Sequence, residues 1–337
     1  MNATGLVRCA GALVAVAICS ACAGGSAVAP SSSAPDVRYV GGVLSVNGRL
    51  VTAARLDSRP LLPPAMILPD LRRNLGTHEY IINDYGTYAS IFIYPKSHKQ
   101  IGTIYNVGGQ GCTNVLYGYG KQTFWIVAAA NQITEYKVPQ TPIKTLSVSV
   151  GSPSSCAMDT GGNLAVGILY GSGGGDIVIF KHASGSGIAI RTPLAREYFD
   201  GYDPNGNLFF DGLTSASAFE LLEIPKGSKT PRRIKTSNTV QFPGSVQWDG
   251  KYVTVFDQIA NQLFQYSIVG SKAVLKGTIS FSGSSDCAQT WIVPGLIYCG
   301  DAGNNGGEVF NYPAGGSPAA VLTGNFNEPL GVVAVGR

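Results

Sequence analysis

Histidine is nearly missing from this chain: His78, His98 and His182 are the only three in 337 residues. They are isolated, the last two in the turn-like phrases "KSHKQ" and "KHASGSG". A zinc site of the HExxH kind therefore has no residues to use, and a Ser/His/Asp hydrolase finds no G-x-S-x-G. Charge is sparse too. Asp, Glu, Lys and Arg make up 13% of the residues, and the net charge of +4 is scattered, without the basic face that a nucleic acid backbone requires. The densest basic cluster, "KGSKTPRRIK" at 226–235, surrounds a Gly and a Pro and reads as a solvated edge hairpin, whose charges block unwanted strand pairing. "GSGGGD" at 171–176 joins two predicted strands instead of opening a helix, which excludes a phosphate loop. Beyond the leader no segment holds about 18 uninterrupted apolar residues, so no spanning helix is expected.

What is present is apolar residues at 45%, with 44 glycines, 19 prolines and 16 tyrosines. That is enough for a sizeable core, and the turn-rich composition suits many short strands. Alternation such as "ASIFIYPK" has the period of two that a strand needs.

The N-terminus carries an address. One Arg8 precedes "CAGALVAVAICSACAGG", an apolar run of signal-peptide length ending in small residues, so residues 1–22 are read as an export leader. "ICSAC" resembles a bacterial lipobox, in which an invariant Cys is lipidated and becomes the mature N-terminus. In this chain that residue is Cys22. Cys19 stands where the pattern usually has Leu, and ordinary cleavage after "ACA", at Ala23, is the competing reading. Residues 23–75 form a linker and N-terminal extension, opening with "GGSAVAPSSSAPD", a composition suited to a tether. The expectation is a monomeric exported bacterial protein of the cell envelope, or a secreted one, touching the membrane only through the lipid.

Of seven cysteines, Cys9, Cys19 and Cys22 lie in the leader, leaving Cys112, Cys156, Cys287 and Cys299. Export permits disulfides, four Cys allow three pairings, and buried free thiols fit equally well. Cys287 and Cys299 flank a "VPG" hairpin, but a turn on Pro294 and Gly295 pairs Cys299 with Thr290, so that bond is not predicted.

A repeat organises the rest, 76–337. Tyr94, Tyr136, Phe180, Ile224, Tyr266 and Tyr312 each end an "hxhY"-like strand, at separations of 42, 44, 44, 42 and 46. Such a period in strands alone means a propeller or a β-solenoid. Within each period come a short strand, a turn, a "GNLFF"-like strand, a loop, the aromatic strand, and a last strand such as "PRRIKT". "DTGGN", "DPNGN" and "WDG" mark the same turn between first and second strands. Six units fit. The final phrase "NEPLGVVAVG" matches a first strand with no second after it, while the first unit, "EYIINDYG", begins with strand two. The C-terminal strand is therefore predicted to complete the first blade and close a ring, which leaves no open seam.

These phrases, "SPSSCAMDTGGNLAV" and "EYFDGYDPNGNLFFD", resemble the "PxGxxxDxxGNLhhxD" pattern of six-bladed propellers of the NHL type, related in shape to the senescence-marker/gluconolactonase family. The resemblance covers about 260 residues. It implies an all-β, six-bladed propeller of four-stranded blades, a frame that hosts lactonases, lyases, scaffolds and binders alike.

Asp84, Asp211, Asp257 and Asp301 follow the second strand in four units, and this recurrence marks them as caps of the next loop. Propeller ligands sit where first strands line the channel, and alignment puts Cys112, Cys156, Asp200, Val246, Cys287 and Val332 at one level. Asp200, a carboxylate among apolar neighbours, needs a raised pKa, a cation or a salt bridge. It is the candidate catalytic base. Asp286, Gln289, Asn114, Asn327 and Glu328 lie on neighbouring segments and could add oxygen ligands for Ca²⁺ or another divalent cation such as Mg²⁺, as the gluconolactonase resemblance implies. Three ring-level thiols invite a soft metal, yet first strands of different blades should lie too far apart, and packing is the simpler reading of each. The sequence thus favours an exported, lipid-anchored binding module for a protein, glycan or small ligand. The alternative is a metal-dependent hydrolase or lactonase with its cation in the channel.

Overall fold

The computed structural model describes residues 37–40, 43–46, 49–51 and 79–336, apart from 86–87, 96, 106, 129–130, 285, 325 and 327. For 37–51 and 79–85 only the backbone is described. The leader with Cys22, most of the linker, His78 and Asn327 lie outside these residues. Among the described residues, no helix is long and apolar enough to cross a membrane.

Val37–Val40, Val43–Val46 and Arg49–Val51 pair with one another as a small antiparallel sheet. From Glu79 onward the described strands fall into six antiparallel groups of four, each paired in chain order. The exception is the first group, in which Gly331–Val335 pairs with Glu79–Tyr85, Val332 opposite Asn83. The C-terminal strand does complete the first unit, as the repeat requires.

The six first strands are Gly331–Val335, Val107–Thr113, Gly151–Met158, Arg196–Tyr202, Val246–Trp248 and Cys287–Val293. Five of the six successive pairs pack directly on one another, with Gly331–Val335 against both Val107–Thr113 and Cys287–Val293. The last gap, from Val246–Trp248 to Cys287–Val293, is bridged by Gln247, whose Oε1 accepts from the Ile292 N–H at 2.8 Å. First strands in mutual contact all the way round make a closed ring, with the apolar core between successive sheets. Phe124, Phe180, Phe210, Phe256 and Phe310 are all buried in those layers.

The repeated turn phrase has one geometry. In "DPNGN", Asp203 Oδ1 accepts from the N–H groups of Asn205 (2.9 Å) and Asn207 (2.8 Å), while Oδ2 accepts from the Asn207 side chain (2.8 Å). "DTGGN" repeats this, with Asp159 accepting from Gly161, Asn163 and the Asn163 side chain. Gly206 and Gly162 stand at φ +85 and +80, where a side chain would be strained. The turn asparagines then fix the third strand: Asn207 Oδ1 accepts from Lys226 N–H, and Asn163 Oδ1 from His182 N–H.

Acids after the second strand do cap loops. Asp257 Oδ1 accepts from Ile259 and Ala260, and Asp301 Oδ1 from Asn304 and Asp286. Asp211 Oδ2 takes the Gly244 N–H, in the run leading to the next first strand. Asp84 lies on a strand of which only the backbone is described.

The basic cluster departs from expectation. Arg232–Thr236 is an outermost strand, but it is not an open edge: Lys235 and Thr236 pair in parallel with Lys272 and Ala273 of the next group. Arg232 and Arg233 bind Glu223 (2.7 Å) and Glu220 (3.0 Å) on the neighbouring strand, so the charges lock a register as well as face solvent.

Candidate functional site

The axis of the ring is where six first strands converge, and most of its polar groups are engaged with one another. Three glutamines tie the strands together. Gln289 Oε1 accepts from Gly111 N–H (3.1 Å) and Val332 N–H (2.9 Å), and its Nε2 donates to Gly111 C=O (2.8 Å). Gln110 donates to Tyr198 C=O at 2.7 Å. Gln247 donates to the carbonyls of Leu116 and Ile292. Ser245 Oγ adds a bond to Thr290 C=O, and a disulfide joins Cys112 to Cys156 across adjacent first strands, Cα to Cα 5.6 Å.

That disulfide corrects the sequence reading, which held first strands of different blades to be too far apart for their thiols to meet. A second bond, Cys287–Cys299, was also not expected. The predicted register is correct, Cys299 opposite Thr290, but the strand shifts between Cys287 and Thr290, and this irregularity brings Cys287 within reach. It also changes the ring level. Gln289, not Cys287, stands beside Gly111 and Val332.

Over one end of the axis lies the connection 114–120, "NVLYGYG". Gly118 N–H donates to Ile292 C=O and Gly120 N–H to Ala334 C=O; Trp291 Nε1 donates to Gly118 C=O, and Tyr119 Oη meets Tyr298 Oη at 2.7 Å. Leu116 reaches the cavity beneath. Sequence reasoning did not assign this segment. Its length was the available signal, since the corresponding connections of the next four units have only two to five residues.

A cavity of about 30 Å³ at the axis is lined by Cys112, Cys156, Asp200, Tyr202, Gln247 and Trp291 among others. That volume suits one or two waters or a single ion. Asp200 is 7% exposed, and neither carboxylate oxygen has a hydrogen-bond partner. Burial raises its pKa to about 8, with the nearby Ser155 hydroxyl opposing. Ser155 is itself turned to Glu197, which is fully buried one pleat away and was missed by sequence reasoning. Ser154 and Ser155 each donate to it at 2.8 Å. Burial first, then the Asp200 charge, hold Glu197 well above the usual carboxylate range. The same two causes act on Asp211, burial leading. Three poorly solvated carboxyls thus sit along one hairpin, each pushed upward chiefly by burial.

Of the proposed oxygen ligands, only Asp200 and Gln289 line this cavity. Gln289 already makes three backbone bonds. Asn114 is exposed, its Oδ1 accepting from Lys121 N–H and Thr113 Oγ1. Asp286 is buried next to Asp301, and Glu328, at φ +56, has its N–H bonded to Asn305. Neither belongs to the cavity lining.

No family model matches the chain, and no curated protein does. Solved structures do. A β-propeller from the crystal structure of a nidogen/laminin complex superposes with a TM-score of 0.61 at 11% identity, covering 77% of this chain and 98% of that one. A functionally unknown protein from Desulfotomaculum acetoxidans DSM 771 gives 0.52 at 8% identity, covering 77% and 99%. The fold is a β-propeller. At such identity these likenesses establish the propeller and say nothing of its ligand.

Proposed function

We propose that this β-propeller is a protein-interaction module, exported and held at the cell envelope by a lipid on Cys22. The observation that carries the reading is the filled axis. Three glutamine amides, a disulfide and the 114–120 connection tie the first strands together around the axis, and the cavity among them is small, about 30 Å³. Binding then falls to the loops at the rim. The nidogen/laminin structure contains a propeller in a complex of proteins, and it supports the reading only as a precedent for the frame. The turn phrases "DTGGN" and "DPNGN" support an NHL-type affiliation, and two disulfides suit an oxidising compartment.

One observation favours a second reading. Asp200, buried with both oxygens unpartnered, is what a channel cation would neutralise, and a bound Ca²⁺ or similar ion could polarise a carbonyl for hydrolysis. Purified protein offered lactones and sugar esters with Ca²⁺, Mg²⁺, Mn²⁺ or Zn²⁺ separates the two. The interaction module predicts no turnover with any of them. Turnover that Asp200→Asn abolishes in a folded ring replaces it with the hydrolase. Metabolic labelling with a fatty acid tests the anchor, since Cys22→Ala must remove the label.

A further inference from the structure

Away from the axis, four side chains converge beneath an exposed turn. The register explains how. In the sixth unit Cys287 on the first strand stands opposite Asp301 on the second, and Cys299 on the second stands opposite Glu308 on the third. Cys299 and Asp301 are two residues apart on one strand and share a face. The ligand atoms of all four lie within 4.8 Å of one another. Each residue is at most 4% exposed.

The surroundings are built for anionic groups. Asn304 Nδ2 donates to both Asp301 Oδ2 (3.1 Å) and Glu308 Oε1 (3.3 Å), orienting the two carboxylates together. The Ser284 hydroxyl lies 2.9 Å from Cys287 Sγ. Glu308 Oε2, buried beside this group, has no hydrogen-bond partner. Asp301 is already held by Asn304 and the Asp286 N–H, which leaves Glu308 Oε2 as the buried oxygen that a cation would satisfy.

We propose that reduction of the Cys287–Cys299 disulfide converts this cluster into a binding site for one Zn²⁺-like cation, with Cys287, Cys299, Asp301 and Glu308 as its ligands. A dithiol reductant supplies two electrons and two protons to the S–S bond and becomes a disulfide itself. Cation binding then releases both thiol protons, and any proton on Glu308, to solvent. Two thiolates and two carboxylates suit a tetrahedral borderline metal, whose ligand atoms lie about 3.3–3.8 Å apart. Asn304 and Ser284 hold the outer positions that orient such ligands. The turn at 303–305 is exposed and leads directly to the site. The site is independent of the channel, so its fate does not depend on the proposed function.

The test is a Co²⁺ titration of the whole protein, oxidised and dithiol-reduced, read by the sulfur-to-cobalt charge-transfer band and by competition with Zn²⁺. The reduced protein should give the band at one equivalent, and the oxidised protein should give none. The band should persist in Cys112→Ser/Cys156→Ser. Asn304→Ala should weaken binding about 10–100-fold, and Glu308→Gln at least as much. The proposal is overturned if the reduced protein gives no band. It is equally overturned if the band survives Glu308→Gln unchanged but vanishes when Cys112 and Cys156 are replaced. Should reduction alone unfold the ring, reduction with Zn²⁺ present decides: native circular dichroism kept with Zn²⁺ but not with Mg²⁺ supports the site, and loss with both refutes it.

Discussion

Asp200 and Asp203 lie three residues apart on one hairpin, and each is 7% exposed. Asp203 accepts bonds from two backbone N–H groups and a side-chain amide, whereas Asp200 accepts none. Equal burial therefore has opposite consequences. At the turn, a carboxylate replaces water with amides and stabilises the hairpin; at the axis, the same group loses water and gains no partner. The turn acid belongs to the frame, and the axial acid is a cost the frame carries.

Substitutions sharpen that contrast. The largest loss should come from Gln289→Ala, which leaves Gly111 N–H and C=O and Val332 N–H without the amide that joins three first strands. About 3 kcal/mol of stability should go, measured by urea unfolding, and a loss under ~1 kcal/mol would mean that the axis is not what holds the ring. Asp203→Ala should cost about 2 kcal/mol. Asp159→Ala removes the same bonds from a more exposed turn and should cost about 1 kcal/mol; equal costs for the two would make burial irrelevant to the comparison. Arg233→Ala breaks an ion pair whose arginine is 66% exposed, and its effect should stay below about 0.5 kcal/mol.

The sequence made the frame legible because the frame is local. Turn phrases recur in three successive units, strand alternation has a short period, and a final first strand without a second implied the closure that Gly331–Val335 makes with Glu79–Tyr85. The acids at 257 and 301 were readable as caps for the same reason, whereas Asp211 lies inside its strand and bonds Gly244 in the run to the next first strand. The axis was not legible. Gln289 reaches Gly111 across 178 positions and Gln110 reaches Tyr198 across 88, and no periodicity reports contacts of that range. Glu197 was hidden because its partners, Ser154 and Ser155, lie in the preceding unit. The Cys287–Cys299 bond was missed although the strand register was right, because a local irregularity in a strand leaves no mark in composition. Asp200 was singled out as the odd residue at its level, and it lines the axial cavity at 7% exposure. Whether a cation meets it is a question of chemistry the pattern does not encode.

The most direct measurement is the unfolding free energy of the wild type and of Asp200→Asn from pH 4 to pH 8.5, with chelator present. Asp200 has a folded pKa of about 8 against an ordinary 3.8, so between those values the native state holds a proton that the unfolded state has released. Below that window the carboxyl is protonated in both states and costs nothing. Through it the wild type should lose stability relative to Asp200→Asn as pH rises, by up to about 1.4 kcal/mol per pH unit, with the difference levelling off above pH 8. That result would confirm an unpartnered carboxyl at the axis of a binding frame. If Asp200→Asn is instead less stable at high pH, or if Ca²⁺ or Zn²⁺ stabilises the wild type and not the variant, Asp200 is held as a carboxylate by a cation and the account of the axis is wrong.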